Sequence, residues 1–390
     1  MLYGGKIRVI CLNYRLYSIS ENGMTGIPII DLFAGAGGLG LGATMAGGTL
    51  KASFEIDPIA CETLKKNSDG EIIEGDLTAF NGDDLRRLAG LNKKDPLVIV
   101  GGPPCQPFSK AAYWTESGEE SRYRKARAKG VKVKKPPKKT EARPDERRSL
   151  VQEFWRLIKE SDADAFLFEN VPSILHPRNV AVFNKLKECA ELEGYKIAWQ
   201  KSLAVEYGVP QKRERVFLAG MQHDTPSFTA ATHHKQPNRN TTKLPAMTSG
   251  KALKPFSGIK YHEPEEVVEG KWAEHLKTVP PGMNYKAHTA WSGHPNPAFV
   301  TETRFWNFLL KLSPNLPSWT IAASPGPWTG PFHWESRRLR TPELAALQSF
   351  PIGYKFQGSR RERVKQIGNA VPPLLAKKML EKTIAKINGH

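Results

Sequence analysis

The chain reads as an α/β protein, a doubly wound sheet joined to a second, smaller, loop-rich domain. Three observations lead there. From Ile27 to about Gly220, short apolar runs alternate with stretches carrying apolar residues at helical spacing, the pattern of strands buried on both faces beneath helices. The first run passes directly into a glycine-rich turn, DLFAGAGGLG, that opens a helix, as ligand-binding strand–helix junctions of such sheets do. Between residues 221 and 336 the composition shifts: 14 of the 30 prolines, 6 of the 9 tryptophans and 8 of the 10 histidines fall there. Few periodic segments survive in that stretch, so a loop-rich unit is expected.

Taken in order, residues 1–26 show no clear periodicity and form an N-terminal extension; Met24, just before the first apolar run, is an alternative start of translation. The runs IPIIDLF, KASFEID, DPLVIVGG, AFLFENV and RVFLAG read as strands, and residues 149–161 and 180–193 as helices. These fill a first domain spanning residues 27–220. Helical patterns return at 341–348 and 374–387, inside a closing segment, 337–390, expected to complete that first domain. A length of 390 residues suits two domains.

Composition narrows the function. The net charge of +18 favours a polyanionic partner, because neutralising phosphates releases counterions and adds affinity. Charge alone leaves open a protein that is merely basic. No apolar run approaches the roughly 18 residues of a membrane span, and the N-terminus lacks the apolar core of a signal peptide. A cytoplasmic location is expected. Four scattered cysteines, Cys11, Cys61, Cys105 and Cys189, include no closely spaced pair, which argues against a disulfide framework and against a structural metal site.

The glycine-rich turn is a candidate cofactor cradle. Gly35, Gly37 and Gly40 satisfy GxGxxG, where missing side chains allow a tight turn and close approach by a ligand. Glu55 closes the second strand fifteen residues after Gly40, and a carboxylate there can accept both ribose hydroxyls of an adenosine-containing cofactor. A nicotinamide dehydrogenase fits this motif nearly as well. The Asp-Leu-Phe opening tilts the balance towards a cofactor without a pyrophosphate.

A second motif is more specific. The strand DPLVIV runs into GGPPCQPFS. Prolines on both sides of Cys105 and Gln106 fix backbone torsions and stiffen a loop at the strand's C-terminal end, where open α/β sheets bind their ligands. Holding one cysteine so rigidly suits a nucleophile.

GPPCQPFS, ENV (Glu169 to Val171) and QKRER (Gln211 to Arg215), in this order after DLFAGAGG, resemble the ordered motif set of the cytosine-5 DNA methyltransferases. RRLRTPELAALQSFP and QIGNAVPP near the C-terminus complete the likeness, which covers residues 28 to about 380 apart from the variable middle. The resemblance implies a Rossmann-like methyltransferase sheet with a target-recognition domain at 221–336, S-adenosylmethionine as cofactor, and a specific double-stranded DNA sequence as substrate. It further implies a bacterial or phage restriction-modification setting, with a cognate restriction endonuclease acting separately, and a monomer.

By the same resemblance, Cys105 adds to C6 of a flipped-out cytosine and Glu169 bonds the N3/N4 edge as a carboxyl able to donate. Arg213 contacts O2, and Arg215 fixes that arrangement. Gln106, Ser109 and Gln211 fall to the DNA. Phe33, Gly35, Gly37, Glu55, Ile56 and Asp76 fall to the cofactor, with Pro104 and Asn369 near cofactor or base.

Two departures stand out. Asp145, Arg147 and Leu150 match an Asp-x-Arg-x-x-Leu element that usually follows the nucleophile loop closely, so residues 110–144 form an insertion; within it, residues 122–139 carry ten basic residues and no acidic one. Arg340 and Ala370 stand where threonine and serine are usual in the family. The main alternative, a tRNA cytosine-5 methyltransferase, shares the motif set but generally has a reduced recognition region. Deleting residues 122–139 is expected to weaken DNA binding and flatten its salt dependence while methyl transfer persists. Equal affinity of deletion and parent at low and high salt would remove that role.

Overall fold

The computed structural model describes residues 26–108, 144–235, 242–299 and 306–389, with a few isolated positions between 122 and 134. The N-terminal extension, Ser109 and nearly all of the basic insertion lie outside the described residues. The elements run β1 (Ile27–Leu32), α1 (Gly38–Met45), β2 (Gly48–Glu55), α2 (Pro58–Lys65), β3 (Glu71–Glu74), α3 (Gly82–Leu88), β4 (Val98–Gly101), α4 (Leu150–Glu160), β5 (Ala165–Asn170), α5 (Val180–Leu192), β6 (Lys196–Leu203), β7 (Gln211–Lys212) and β8 (Glu214–Met221). Short helices α6 (Ser249–Leu253) and α7 (Ala273–Thr278) follow, then β9 (Ser318–Trp319), α8 (Thr341–Leu347), α9 (Arg360–Asn369) and α10 (Pro373–Asn388).

Seven strands form one sheet in the order β3-β2-β1-β4-β5-β8-β6. The five strands β1 to β5 are parallel, whereas β8 is antiparallel to both β5 and β6. Strand order reverses beside β1, which pairs with β2 on one side and β4 on the other. That switch point opens a crevice at the strands' C-terminal ends.

The apolar runs of the central strands serve two cores at once, since alternate residues face opposite sides of a strand. Ile30, Ile99, Phe166 and Phe168 face one layer with Val151, Phe154 and Ile158 of α4 and Leu186 of α5. Ile29, Val98, Val100 and Leu167 face the other with Leu39 and Ala43 of α1 and Leu375, Met379 and Leu380 of α10. Residues 151, 154, 155 and 158 make one helical stripe, which is why α4 packs flat. The C-terminal helix α10 thus lies against α1, and the closing segment belongs to the same body as the first strand.

Past residue 221 the chain stays packed on the first body for some way. Phe228 and Ala231 pack on the core shared by α1 and α10, Thr229 donates to Glu381 at 2.7 Å, and β9 pairs in parallel with β7. Among the described residues, a separate apolar cluster lies further on, where Leu276, Val279, Tyr285, Leu309 and Phe332 pack together. Among the described residues no helix is long and apolar enough to cross a membrane, and no group of three or more acidic, histidine or cysteine side chains could hold a metal ion.

His333 joins this cluster to the main body and is 3% exposed. Its Nδ1 accepts from the backbone N–H of Glu335 at 3.1 Å, so the ring is neutral. Burial, aided by the charges of Arg337 and Arg340, pushes its pKa from 6.5 to about 3. Unfolding therefore takes up a proton between those values, and this contribution to stability, full above pH 6.5, is lost as pH falls towards 3. The slope is at most about 1.4 kcal/mol per pH unit. Thermal unfolding of the parent should fall faster with acid than that of His333→Gln; parallel curves would show that His333 does not titrate on unfolding.

Candidate active site

The crevice at the switch point is a cavity of about 490 Å³, walled by the loops after β1, β2 and β4, by the ends of β5 and β8, and by α9. The β1 loop leaves the strand through Phe33, which has a φ of 58°, and passes Gly35 and Gly37 at φ 55° and 79°. Left-handed backbone at such points favours glycine. A side chain at Gly35 would project into open space, the hollow of the cavity. Beneath this loop, the Asp31 carboxylate accepts from the N–H of Gly40 at 2.8 Å; it is fully buried, and burial raises its pKa to about 8. Tyr354 donates to the carbonyl of Ala36 at 2.6 Å from the far side.

Glu55 ties the second strand to the first loop. Its Oε2 accepts from Gly35 N–H at 2.7 Å, and its Oε1 accepts from Ile56 and Asp57 N–H at 3.0 and 2.9 Å. Oε2 keeps a lone pair for a further donor. Ile56 is 63% exposed, an apolar face at the cavity rim with no core to join. Asp76 accepts from the N–H and hydroxyl of Thr78, both at 2.9 Å through Oδ1, leaving Oδ2 available. Asp57 caps α2 and pairs with Lys365 of α9 at 2.9 Å, closing the rim.

The nucleophile loop is pinned on both sides of Cys105. Asn170 donates to the carbonyl of Pro103 at 3.1 Å, Phe108 is fully buried in the core, and its N–H returns to the carbonyl of Cys105 at 3.0 Å. A β-carbon at Gly102 would lie 3.0 Å from Oε2 of Glu169, so any side chain there would press on that carboxyl.

Glu169, near the end of β5, faces Arg215 at the start of β8, with Nε and Oε1 2.6 Å apart and each side chain 10% exposed or less. The charges touch, yet Oε1 accepts no aligned hydrogen bond. Burial raises the Glu169 pKa, against the opposing pull of Arg215 and Arg213. Burial likewise raises the Cys105 thiol above its ordinary 9.0, opposed by Arg215 and abetted by Glu169.

The cavity brings together Phe33, Gly35, Glu55, Ile56, Asp76, Pro104, Cys105, Gln106, Glu169, Arg215 and Asn369. Gly37 shapes the loop without lining the cavity. Two expectations need correction. Arg213 does not reach the cavity: it is 1% exposed and donates to the carbonyls of Ile321, Gly368 and Asn369 at 3.3, 2.8 and 3.4 Å. Arg215 holds the place facing Glu169 and lines the cavity. Gln211 is equally buried, donating to Leu347 and Gln348 and accepting from Ile321 N–H at 3.1 Å; with its amide engaged, it braces β7 against α8 and does not face DNA.

Sequence reasoning passed over Arg147 and Asn170. Arg147 lines the cavity and is held by a two-pronged contact with Asp145 at 2.9 and 2.7 Å. The Asp-x-Arg element and the Asn of ENV were the signals.

A half-buried thiol, a carboxyl and a guanidinium open into the same hollow as a glycine-lined turn and the carboxylate of Glu55, and such a gathering of polar groups at the switch point of an α/β sheet marks a candidate active site. Comparison with known proteins carries this further. The model of C-5 cytosine-specific DNA methylases matches residues 27–385, and the chain belongs to that family, the DNA cytosine-5 methyltransferases. Over 379 residues it is 35% identical to the type II methyltransferase M.SacI of Streptomyces achromogenes, covering 90% of this chain and 91% of that one. It is 28% identical to M1.HphI of Haemophilus parahaemolyticus, covering 98% and 92%. In fold, it resembles a prophage-encoded E. coli protein described as a DNA modification methyltransferase (TM-score 0.61, 22% identity, 93% and 99% covered).

Alkylation of Cys105 by iodoacetamide should accelerate with pH to beyond 9.0, as the raised pKa requires. Arg215→Gln removes the charge that opposes the shift and should move the profile further up. A profile left in place would show that Arg215 does not act on the thiol.

Proposed function

We propose that the enzyme transfers a methyl group from S-adenosylmethionine to C5 of a cytosine flipped out of a specific duplex DNA sequence, through a covalent bond between Cys105 and C6. The observation that carries this reading is that nucleophile and cradle share one cavity. The residues present fit the cofactor: an open hollow over Gly35, an apolar rim made by exposed Ile56 and half-buried Phe33, and carboxylates at Glu55 and Asp76 with unused acceptor sites. The cofactor supplies an electrophilic methyl group on a sulfonium.

The rest falls to the chain's own side chains. Cytosine C5 is a weak nucleophile. Addition of the Cys105 thiolate to C6 forms the Sγ–C6 bond and leaves C5 enamine-like. Glu169, its pKa raised by burial, donates a proton at N3 as negative charge grows in the ring. Arg215 holds the Glu169 carboxyl in place and offers its remaining donors to O2. After C5 has taken the methyl group, its proton passes to water, the C5–H electron pair re-forms the C5–C6 double bond as Sγ–C6 breaks, N3 returns its proton to Glu169, and Cys105 leaves as the thiolate. None of these groups can reach a base within a stacked duplex, so the base must leave the stack, at a few kcal/mol. Pro104, Gln106 and Asn369 border the space it enters. Duplex DNA is favoured over tRNA by the size of the segment between β8 and α8.

The test is transfer of labelled methyl to duplex DNA and to tRNA. Transfer to DNA is expected, and should vanish in Cys105→Ala. Duplexes carrying 5-fluorocytosine at the target have no C5 proton to lose, so they should trap a covalent complex with the parent and none with Cys105→Ala. Transfer confined to tRNA, or trapping that survives the substitution, would overturn the reading.

A further inference from the structure

We propose that Arg340 is a positioning residue for DNA binding, seating the recognition unit on the catalytic body through a buried ion pair with Glu266. The inference rests on the reading of the unit cored by Leu276, Tyr285 and Phe332 as the part that reads the target. Arg340 stands where the family pattern has threonine, and it is 4% exposed. Its Nε contacts Oε2 of Glu266, its Nη2 lies 3.4 Å from Oε1, and its Nη1 donates to the carbonyl of Phe256 at 2.7 Å. Glu266 is itself nearly buried, with 13% of its side chain exposed.

The pair lies on a continuous path between the two parts of the molecule. On one side, the chain runs from Glu266 to Val268, which packs against the Leu276 and Phe332 cluster. On the other, the Arg340 N–H is held by Glu343 at 2.8 Å as α8 begins. Helix α8 contributes Leu344 and Leu347 to a core shared with Ile367 of α9, and Asn369, the last residue of α9, borders the catalytic cavity. Arg338 reinforces the seat by donating to the carbonyls of Glu265 and Val267 at 3.1 and 2.7 Å. Arg337 does not substitute for Arg340: it lies 3.8 Å from Glu266 and spends two bonds of 2.8 Å on Glu343. A threonine at 340 cannot span this gap, and Glu266 would keep a buried charge without a close partner. The fork of Arg340 fixes both distance and angle, where a single point of contact would leave rotation free.

The experiment compares the parent with Arg340→Thr, Arg340→Lys, Glu266→Gln and the exchange Arg340→Glu with Glu266→Arg, measuring KM for duplex DNA, kcat, cofactor binding and melting temperature. Arg340→Thr and Glu266→Gln should raise KM for DNA about tenfold, with kcat and cofactor binding within about twofold, an effect on the scale of one lost charged contact. Arg340→Lys should recover part of the loss, and the exchange should recover more than either single reversal. An unchanged KM in a folded variant sinks the proposal, as does a fall in kcat that tracks melting temperature with KM constant, which marks a merely structural role. Should Arg340→Thr fail to fold, Arg340→Lys and Glu266→Gln decide by the same criteria. Parent enzyme that transfers no methyl to any duplex would overturn the functional reading itself, whereas active parent with unaltered variants overturns only the seat.

Discussion

A buried carboxyl and a half-buried thiol that share one cavity at the end of a sheet destabilise one another, because burial penalises both charges and each charge repels the other. Arg215 makes the arrangement tolerable. It lies against Glu169 at 2.6 Å and is the strongest influence pulling the Cys105 thiol back down. Its reach depends on β8 entering the sheet antiparallel, between β5 and β6, so that the start of β8 meets the end of β5. A crossover that brought β8 in parallel to β5 would have delivered that strand's other end to the crevice. The reversed strand is thus part of the chemistry and not an ornament of the sheet.

The same requirement accounts for the buried Arg213. Two residues before Arg215, it takes three backbone carbonyls from Ile321, Gly368 and Asn369, chain segments more than 100 residues away. It gathers the approach to β8, the segment just after β9 and the end of α9 at one point. Burying it without a carboxylate lowers its pKa well below the usual range. An arginine in such a place is there for its several fixed donors, since a lysine would present a single point charge. The consequence is that the wall of the cavity and the segment after β9 cannot shift independently.

How far the sequence reveals this depends on which physical signal each part leaves. The central strands β1, β4, β5 and β8 are covered on both faces and spell out unbroken apolar runs. The edge strands β3 and β6 have exposed and half-buried residues throughout most of their length, so neither registers as a strand. Cys105, Glu169 and Glu55 are legible because rigid or polar residues at strand ends have few other uses. The assignment within QKRER is not: alternation says that Arg213 and Arg215 share a face, but only the register against β5, in which Glu169 lies opposite Phe217, two residues on from Arg215, tells which one meets Glu169. Gln211 misleads for the same reason, a polar residue whose partners, Leu347, Gln348 and Ile321, are remote in sequence.

The boundary of the recognition unit shows the limit of composition as a guide. Proline and tryptophan content changes near residue 221, yet Phe228 and Ala231 still pack on the first core, because losing periodicity does not mean leaving the body. What separates the unit is a change in what its apolar residues touch, and that occurs only around the cluster of Tyr285 and Phe332. A small cluster of this size buries too little surface to stand rigidly by itself. It must borrow stiffness from the larger body, and the ion pairs of Glu263, Glu266 and Glu343 with Arg360, Arg340 and Arg337 are the charged contacts available for that. Directional contacts at the seat then suit a unit whose loops are free to differ, since they fix where the loops stand without prescribing what they read.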